Sequence, residues 1–170
     1  MAHREGHLTA ARSRYQLYWQ AWLPPQRPKG IVIFAHDWAE HGSRYAELAS
    51  QLCPQGYAVY ALDQRGHGQS EGTRALFPRF ALAENDFHLL VEQARRDYPR
   101  CPLLPMGQGI GCVVALSYAL KQQDRLAGVI LSAATLELPG MSRGQGFKAR
   151  FMSRMRPGAA FYSIDEEQLT

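Results

Sequence analysis

The sequence predicts a three-layer α/β protein in which a mostly parallel sheet lies between helices. Two observations predict this class. First, short apolar runs of strand length recur along the chain, and segments with helical periodicity separate them. Second, several of these runs are apolar on both faces, which is typical of central parallel strands because helices cover both sides of such a sheet. Right-handed crossovers are expected between successive strands.

The first half of the chain contains three predicted strands. Aromatic and aliphatic residues alternate with glutamine from Tyr15 to Trp22, which predicts a half-exposed strand. The apolar runs from Gly30 to Ala35 and from Tyr57 to Leu62 predict buried strands, and a short helix from Tyr45 to Cys53 is expected between them. Residues 1–14 are charged and lack the apolar core of a secretory signal, and no element is predicted there.

The second half continues the alternation of strands and helices. Apolar residues recur at helical spacing from Phe80 to Ala94, which predicts an amphipathic helix. Leu103 to Met106 is predicted as a short third buried strand, weakened by its proline. A largely apolar helix is expected from Ile110 to Leu120, and a fourth buried strand from Leu126 to Leu131.

The character of the chain changes after this last strand. The alternation predicts a core over residues 1–138 and a partial cap or lid over residues 139–170. Met141 to Arg156 contains arginine and lysine but no acid, and Phe147, Phe151 and Met155 share one helical stripe. Two interpretations stay open for this segment: a cap helix with a solvated arginine face, or a contact with a membrane surface or an acyl chain.

Composition excludes several classes of protein. With 46% hydrophobic and 20% charged residues, the chain is globular rather than disordered. Its net charge of +4 is mild, and no segment resembles a nucleic-acid-binding module. Three cysteines without paired spacing argue against a disulfide framework and a metal site. We therefore expect a cytoplasmic protein with no cofactor, no metal and no nucleic-acid partner.

A glycine-rich turn joins the third buried strand to the helix that follows it. A strand, a G-x-S-x-G turn and a helix together form a nucleophile elbow, in which a sharp turn exposes the serine hydroxyl. The N-terminus of the helix then offers backbone N–H groups to a developing oxyanion. The turn from Gly107 to Gly111 has this pattern, but its central residue is Gly109.

Two further loops carry a resemblance to a known family. The segment from His36 to Tyr45 has the sequence H-D-W-A-E-H-G-S-R-Y, and the segment from Asp63 to Gly72 has D-Q-R-G-H-G-Q-S-E-G. With the elbow, they resemble the H-G-x-x-E-H-x-x-R-Y and D-x-R-G-H-G-x-S-x-G loops of monoacylglycerol-lipase-like and lysophospholipase-like hydrolases, which overlap the serine-aminopeptidase-like hydrolases. The resemblance extends from Tyr15 to Leu136. It implies a three-layer α/β-hydrolase fold, truncated after the elbow helix, the following strand and part of a cap.

The resemblance also implies roles for individual residues. Gly109 occupies the position of the nucleophile, and the N–H groups of Trp38 and Ile110 would form the oxyanion hole. His36 and Asp37 begin the oxyanion loop, and Asp37 stands where the family has glycine, so it brings a charged side chain to the oxyanion approach. The acid and the histidine of the family's triad come from later strands, which we do not expect within this chain.

Other reactive side chains are expected to be structural. Cys112 lies one helical turn beyond the elbow and is interpreted as core packing, and Ser132 ends a strand without a predicted base. The resemblance implies that Asp63, Arg65, His67 and Ser70 brace their loop. We interpret Asp63 and Arg65 as a salt bridge within it.

These observations leave three hypotheses about function. The resemblance implies a carboxylic ester hydrolase for monoacylglycerol or lysolipid substrates, but we expect the chain to be catalytically incompetent, because Gly109 replaces the serine and the acid and histidine are absent. The alternatives are a pseudoenzyme, that is, a non-catalytic acyl-binding or interaction module, and a truncated product of an active serine hydrolase. The strand from Leu126 to Leu131 would form an exposed apolar edge, which predicts self-association or a partner.

Overall fold

The computed structural model describes residues 1–11, 13–76 and 79–134, which lie within the compact unit Met1–Leu136. The strands of this part are β1 (Ala2–Thr9), β2 (Gln16–Leu23), β3 (Gly30–Ala35), β4 (Tyr57–Leu62), β5 (Leu103–Gln108) and β6 (Ile130–Ser132). The helices are α1 (Ala46–Leu52), α2 (Phe80–Asp97) and α3 (Gly111–Lys121), with 3-10 turns at Gly42–Tyr45, Cys53–Gln55 and Gln123–Arg125.

These strands form a single sheet in the spatial order β1-β2-β4-β3-β5-β6. Strands β3 to β6 pair in parallel, with Val32 of β3 opposite Val59 of β4 on one side and Leu104 of β5 on the other. Strands β1 and β2 are antiparallel and extend the sheet beyond β4. The predicted α/β class with a mostly parallel sheet is therefore confirmed.

Side chains of β3 and β4 alternate between two hydrophobic cores, one on each face of the sheet. On one face Ile31 and Ile33 pack with buried residues of α2 and α3, whereas on the other face Val32 and Phe34 pack with residues of α1. Alternation of this kind follows from the two-residue repeat of a strand, and it produces the predicted helix–sheet–helix layers. One residue of the predicted apolar face of α2, Phe80, is instead 47% exposed because it begins the helix.

The N-terminal strand β1 was not predicted. Most of its residues are exposed, so its sequence carries little of the hydrophobic signal on which strand prediction depends. It forms through antiparallel pairing with β2, where Gly6 lies opposite Trp19, and through contacts such as the His3 ring near the Trp22 ring.

Pro105 lies inside the central strand β5, which extends two residues further than predicted. The backbone explains why it is tolerated. Ile31 N donates to Pro102 O on the β3 side, whereas Ala127 N donates to Leu103 O on the other side. Backbone groups of a strand alternate between its two sides, so Pro105, two residues after Leu103, directs its nitrogen to the same side as Leu103, away from β3. This nitrogen points toward the side where pairing with β6 starts only at the next residue, Met106.

The last described strand, β6, is shorter and more exposed than the buried strand predicted from Leu126 to Leu131. It pairs with β5 over three residues, and Ile130 and Leu131 are each 38% exposed. Within the described residues it lies at the edge of the sheet, as the edge-strand hypothesis requires. The predicted cap, residues 139–170, and its boundary at 138 lie outside the described residues. None of the described helices is long and apolar enough to cross a membrane.

Candidate active site

The elbow is a sharp turn between β5 and α3. Gly109 has a φ of +52°, in the left-handed region, and its N–H donates to Ser132 O at 3.1 Å. Gly111, the first residue of α3, lies so close to β3 that a Cβ atom there would be 2.1 Å from Ala35 O. The sequence therefore builds a tight strand–turn–helix backbone here, and glycine suits the left-handed conformation at 109, the position to which the resemblance assigns the nucleophile.

The side chain of Asp37 occupies the space beside this turn. Its Oδ1 accepts the N–H of Trp38 at 2.7 Å and the N–H of Ile110 at 2.8 Å. These are the two N–H groups to which the family resemblance assigns the oxyanion hole, and they converge on one carboxylate oxygen. The sequence predicted that Asp37 would crowd this approach, but it did not predict these two hydrogen bonds.

Asp37 and a side chain at position 109 compete for the same volume. A Cβ atom on residue 109 would lie 2.0 Å from both Cγ and Oδ2 of Asp37, whereas real Cβ contacts essentially never fall below 3.0 Å. Gly109 therefore lets the Asp37 carboxylate approach the turn, and any other residue there would have to displace it.

His36 anchors the backbone that carries Asp37. It is fully buried, its Nδ1 lies 2.7 Å from Asp37 O, and its Nε2 lies 2.9 Å from Gln64 N. Because a carbonyl can only accept and a backbone N–H can only donate, the ring carries its proton on Nδ1. Burial lowers the pKa of His36 to about 4, so the ring is neutral at neutral pH. His36 thus ties the loop after β3 to the loop after β4.

Glu40 gives the same loop a second support. Its Oε2 accepts the hydroxyl of Tyr45, and it lies 3.4 Å from the N–H of Asp37. The side chain of Arg44 lies 3.4 Å from the other carboxylate oxygen of Glu40. The glutamate, arginine and tyrosine of the first loop motif thus hold the loop in shape.

Asp63 and Arg65 do not form the predicted salt bridge with each other. Asp63 is buried and accepts the N–H of Gly42 at 2.6 Å and the N–H of Gln69 at 2.8 Å, so it joins the two loops. Arg65 forms a buried bidentate pair with Asp86 of α2, at 2.6 and 2.8 Å. Asp86 was not predicted as this partner, although it is an acid at an inward-facing position between Ala83 and Leu90, which is itself a signal of a buried partner.

Cys112 has the surroundings of a packed thiol rather than of a nucleophile. It is fully buried, and its Sγ lies within hydrogen-bond distance of two backbone carbonyl oxygens, Gly107 O at 3.1 Å and Ser132 O at 3.2 Å. Burial raises the pKa of the Cys112 thiol, which keeps it protonated and unreactive at neutral pH. This agrees with the interpretation of Cys112 as core packing.

Comparison with known proteins identifies the family. Residues 26–170 match the serine aminopeptidase S33 family. Human monoglyceride lipase is 31% identical over 167 residues, which are 96% of this chain and 54% of the human protein. The monoacylglycerol lipase of Mycolicibacterium smegmatis is 29% identical over 168 residues, which are 98% of this chain and 60% of that protein.

Solved structures give the same result. The monoacylglycerol lipase of Paleococcus ferrophilus is 27% identical, with a TM-score of 0.71 over 84% of this chain and 53% of its own. A carboxyl esterase of Bacillus coagulans, 22% identical, shares the fold with a TM-score of 0.78 over 99% of this chain and 55% of its own. The chain spans between half and two thirds of the length of these relatives. It belongs to the serine aminopeptidase S33 family, has an α/β-hydrolase fold and resembles the monoacylglycerol lipases of that family.

Proposed function

We propose that this chain is a monoacylglycerol-lipase-like homologue that does not hydrolyse carboxylic esters by serine catalysis. One observation carries the proposal: the apex of the elbow is Gly109, which has no side chain to attack a carbonyl carbon. Loss of the serine from a catalytic triad lowers turnover by a factor on the order of 10⁶. The oxyanion hole and substrate binding then leave an acceleration of roughly 10³ over water.

The surroundings of the elbow support the proposal in two further ways. Cys112, the thiol next to the elbow, is buried and within hydrogen-bond distance of backbone carbonyls, so it does not replace the serine. The Trp38 and Ile110 N–H groups already bind Asp37, so they are not available to a tetrahedral intermediate. The residual catalysis that an oxyanion hole alone supplies is therefore also expected to be lost.

The test measures ester hydrolysis and covalent labelling on the same purified chain. We expect turnover of p-nitrophenyl butyrate and of a monoacylglycerol to stay at the buffer rate. Intact-mass spectrometry should find no adduct after incubation with a fluorophosphonate probe, and an active monoacylglycerol lipase serves as the positive control. Because the mass reports on this chain alone, a contaminating esterase cannot mimic activity. Turnover many orders of magnitude above buffer, together with a stoichiometric adduct, would refute the proposal.

A further inference from the structure

We propose that Asp37 is a resident ligand of the oxyanion hole. The Trp38 and Ile110 N–H groups then form a carboxylate-binding site that accepts an external carboxylate only when the Asp37 side chain is absent. The inference rests on the proposed function, because a hole filled by the chain's own carboxylate is not one that stabilises a reacting ester.

The hydrogen-bond geometry around Asp37 is that of an anion site. A single oxygen of Asp37 accepts both N–H groups, at 2.7 and 2.8 Å, which are the lengths of charge-assisted hydrogen bonds. One donor belongs to the loop after β3, and the other directly precedes the 11-residue helix α3, whose N-terminal end carries partial positive charge. The two converging donors therefore suit an anionic oxygen, and the Asp37 carboxylate is the group that occupies this position.

The same carboxylate also fills the space at the turn. The Asp37 carboxylate lies within 2.1 Å of the point where a Cβ atom on residue 109 would stand. It thus fills the volume in which the side chain of an elbow nucleophile would begin. Gly109 leaves this space empty, and the Asp37 carboxylate fills it, so the two residues are sterically matched.

The backbone of Asp37 is held by other residues of the two loops. The carbonyl oxygen of Asp37 accepts a hydrogen bond from Nδ1 of the buried His36 ring at 2.7 Å. The Asp37 N–H lies 3.4 Å from Oε2 of Glu40, the other acid of the loop. Glu40 is itself engaged by the hydroxyl of Tyr45. Removing the Asp37 side chain should therefore leave the loop and both N–H groups close to their present positions, as a vacant site of carboxylate size.

The experiment compares two substitutions with the unchanged chain. Asp37→Ala removes the internal carboxylate, whereas Asp37→Asn is the matched control, because its amide oxygen still accepts both N–H groups. Thermal unfolding is followed in sodium acetate and in sodium chloride of equal ionic strength. We expect a saturable, acetate-specific rise in Tm for Asp37→Ala, of roughly 3–6 °C at an acetate concentration tenfold above the dissociation constant. The unchanged chain and Asp37→Asn should respond equally to the two salts.

Hydrogen exchange provides a readout that does not depend on the stability of a variant. In the unchanged chain the Trp38 and Ile110 amides should exchange at least tenfold more slowly than the same amides in Asp37→Ala, and acetate should restore the protection. Exposed, rapidly exchanging amides at both positions in the unchanged chain would overturn the inference even if Asp37→Ala did not fold. So would an acetate response of Asp37→Ala equal to that of Asp37→Asn. Ester turnover by the unchanged chain would refute the proposed function alone, so the two failures are distinguishable.

Discussion

Restoring the serine at the elbow should destabilise the fold, and the cost should depend on Asp37. Gly109→Ser places an L-residue at a φ of +52°, which costs about 1–2 kcal/mol in any background. With Asp37 present, the new Cβ also lies 2.0 Å from the carboxylate, so the carboxylate must leave its two N–H donors.

The size of this second effect follows from the hydrogen bonds that are lost. A hydrogen bond to a charged group contributes about 1.5–3 kcal/mol. Asp37 is only half-buried and regains hydration when it is displaced, so the lower value applies to each bond. Two bonds give a coupling of about 3 kcal/mol, which corresponds to a difference of about 6–12 °C in Tm for a chain of this size.

A double-mutant cycle measures this coupling. Urea unfolding of the unchanged chain, Gly109→Ser, Asp37→Ala and the double variant gives four free energies of unfolding. Gly109→Ser should cost about 4–5 kcal/mol beside Asp37 but only about 1–2 kcal/mol beside alanine. Equal costs in the two backgrounds, within about 0.5 kcal/mol, would refute the reasoning.

Three further predictions concern the rest of the scaffold. The free energy of unfolding should fall by about 3 kcal/mol from pH 7 to pH 4. In this range His36 is protonated in the unfolded chain, where its pKa is about 6.5, but stays largely neutral in the folded chain, where its pKa is about 4. His36→Gln should reduce this pH dependence in urea unfolding measured across the same range. Arg65→Met should cost about 3–5 kcal/mol by leaving buried Asp86 unpaired, and adding Asp86→Leu should recover part of that cost, whereas additive costs would contradict a buried pair. Ile130→Lys on the exposed edge should reduce self-association in sedimentation velocity, whereas Leu120→Lys, 62% exposed on α3, should not; equal effects would exclude β6 as the contact.

Local sequence signals predicted the central sheet and the elbow. The runs at Gly30–Ala35 and Tyr57–Leu62 coincide with β3 and β4, because burial on both faces leaves a continuous apolar signature. The glycines from Gly107 to Gly111 located the turn because close backbone approach excludes side chains there. Both features depend only on residues that are close in sequence.

Features that depend on tertiary contacts were not predictable in the same way. Strand β1 is stabilised by pairing with β2, and its own exposed sequence carries no hydrophobic pattern. Arg65 has an acid two residues before it, yet its partner is Asp86, which α2 brings alongside. The family pattern showed that Asp37 was unusual. Its binding to Ile110, 73 residues away in sequence, depends on how the two loops pack.

A substitution at position 37 or at position 109 alone is expected to lower the free energy of unfolding. A side chain at 109 collides with Asp37, whereas removal of the Asp37 carboxylate leaves the Trp38 and Ile110 N–H groups without their present acceptor. Each single reversal therefore lowers stability, by an estimated 3 kcal/mol or more where both hydrogen bonds are lost. Serine at 109 is therefore costlier beside Asp37 than beside alanine, because it displaces the carboxylate from both N–H groups. The residue at 37 thus adds a second obstacle to a serine in this elbow, besides the absence of a hydroxyl on Gly109 itself.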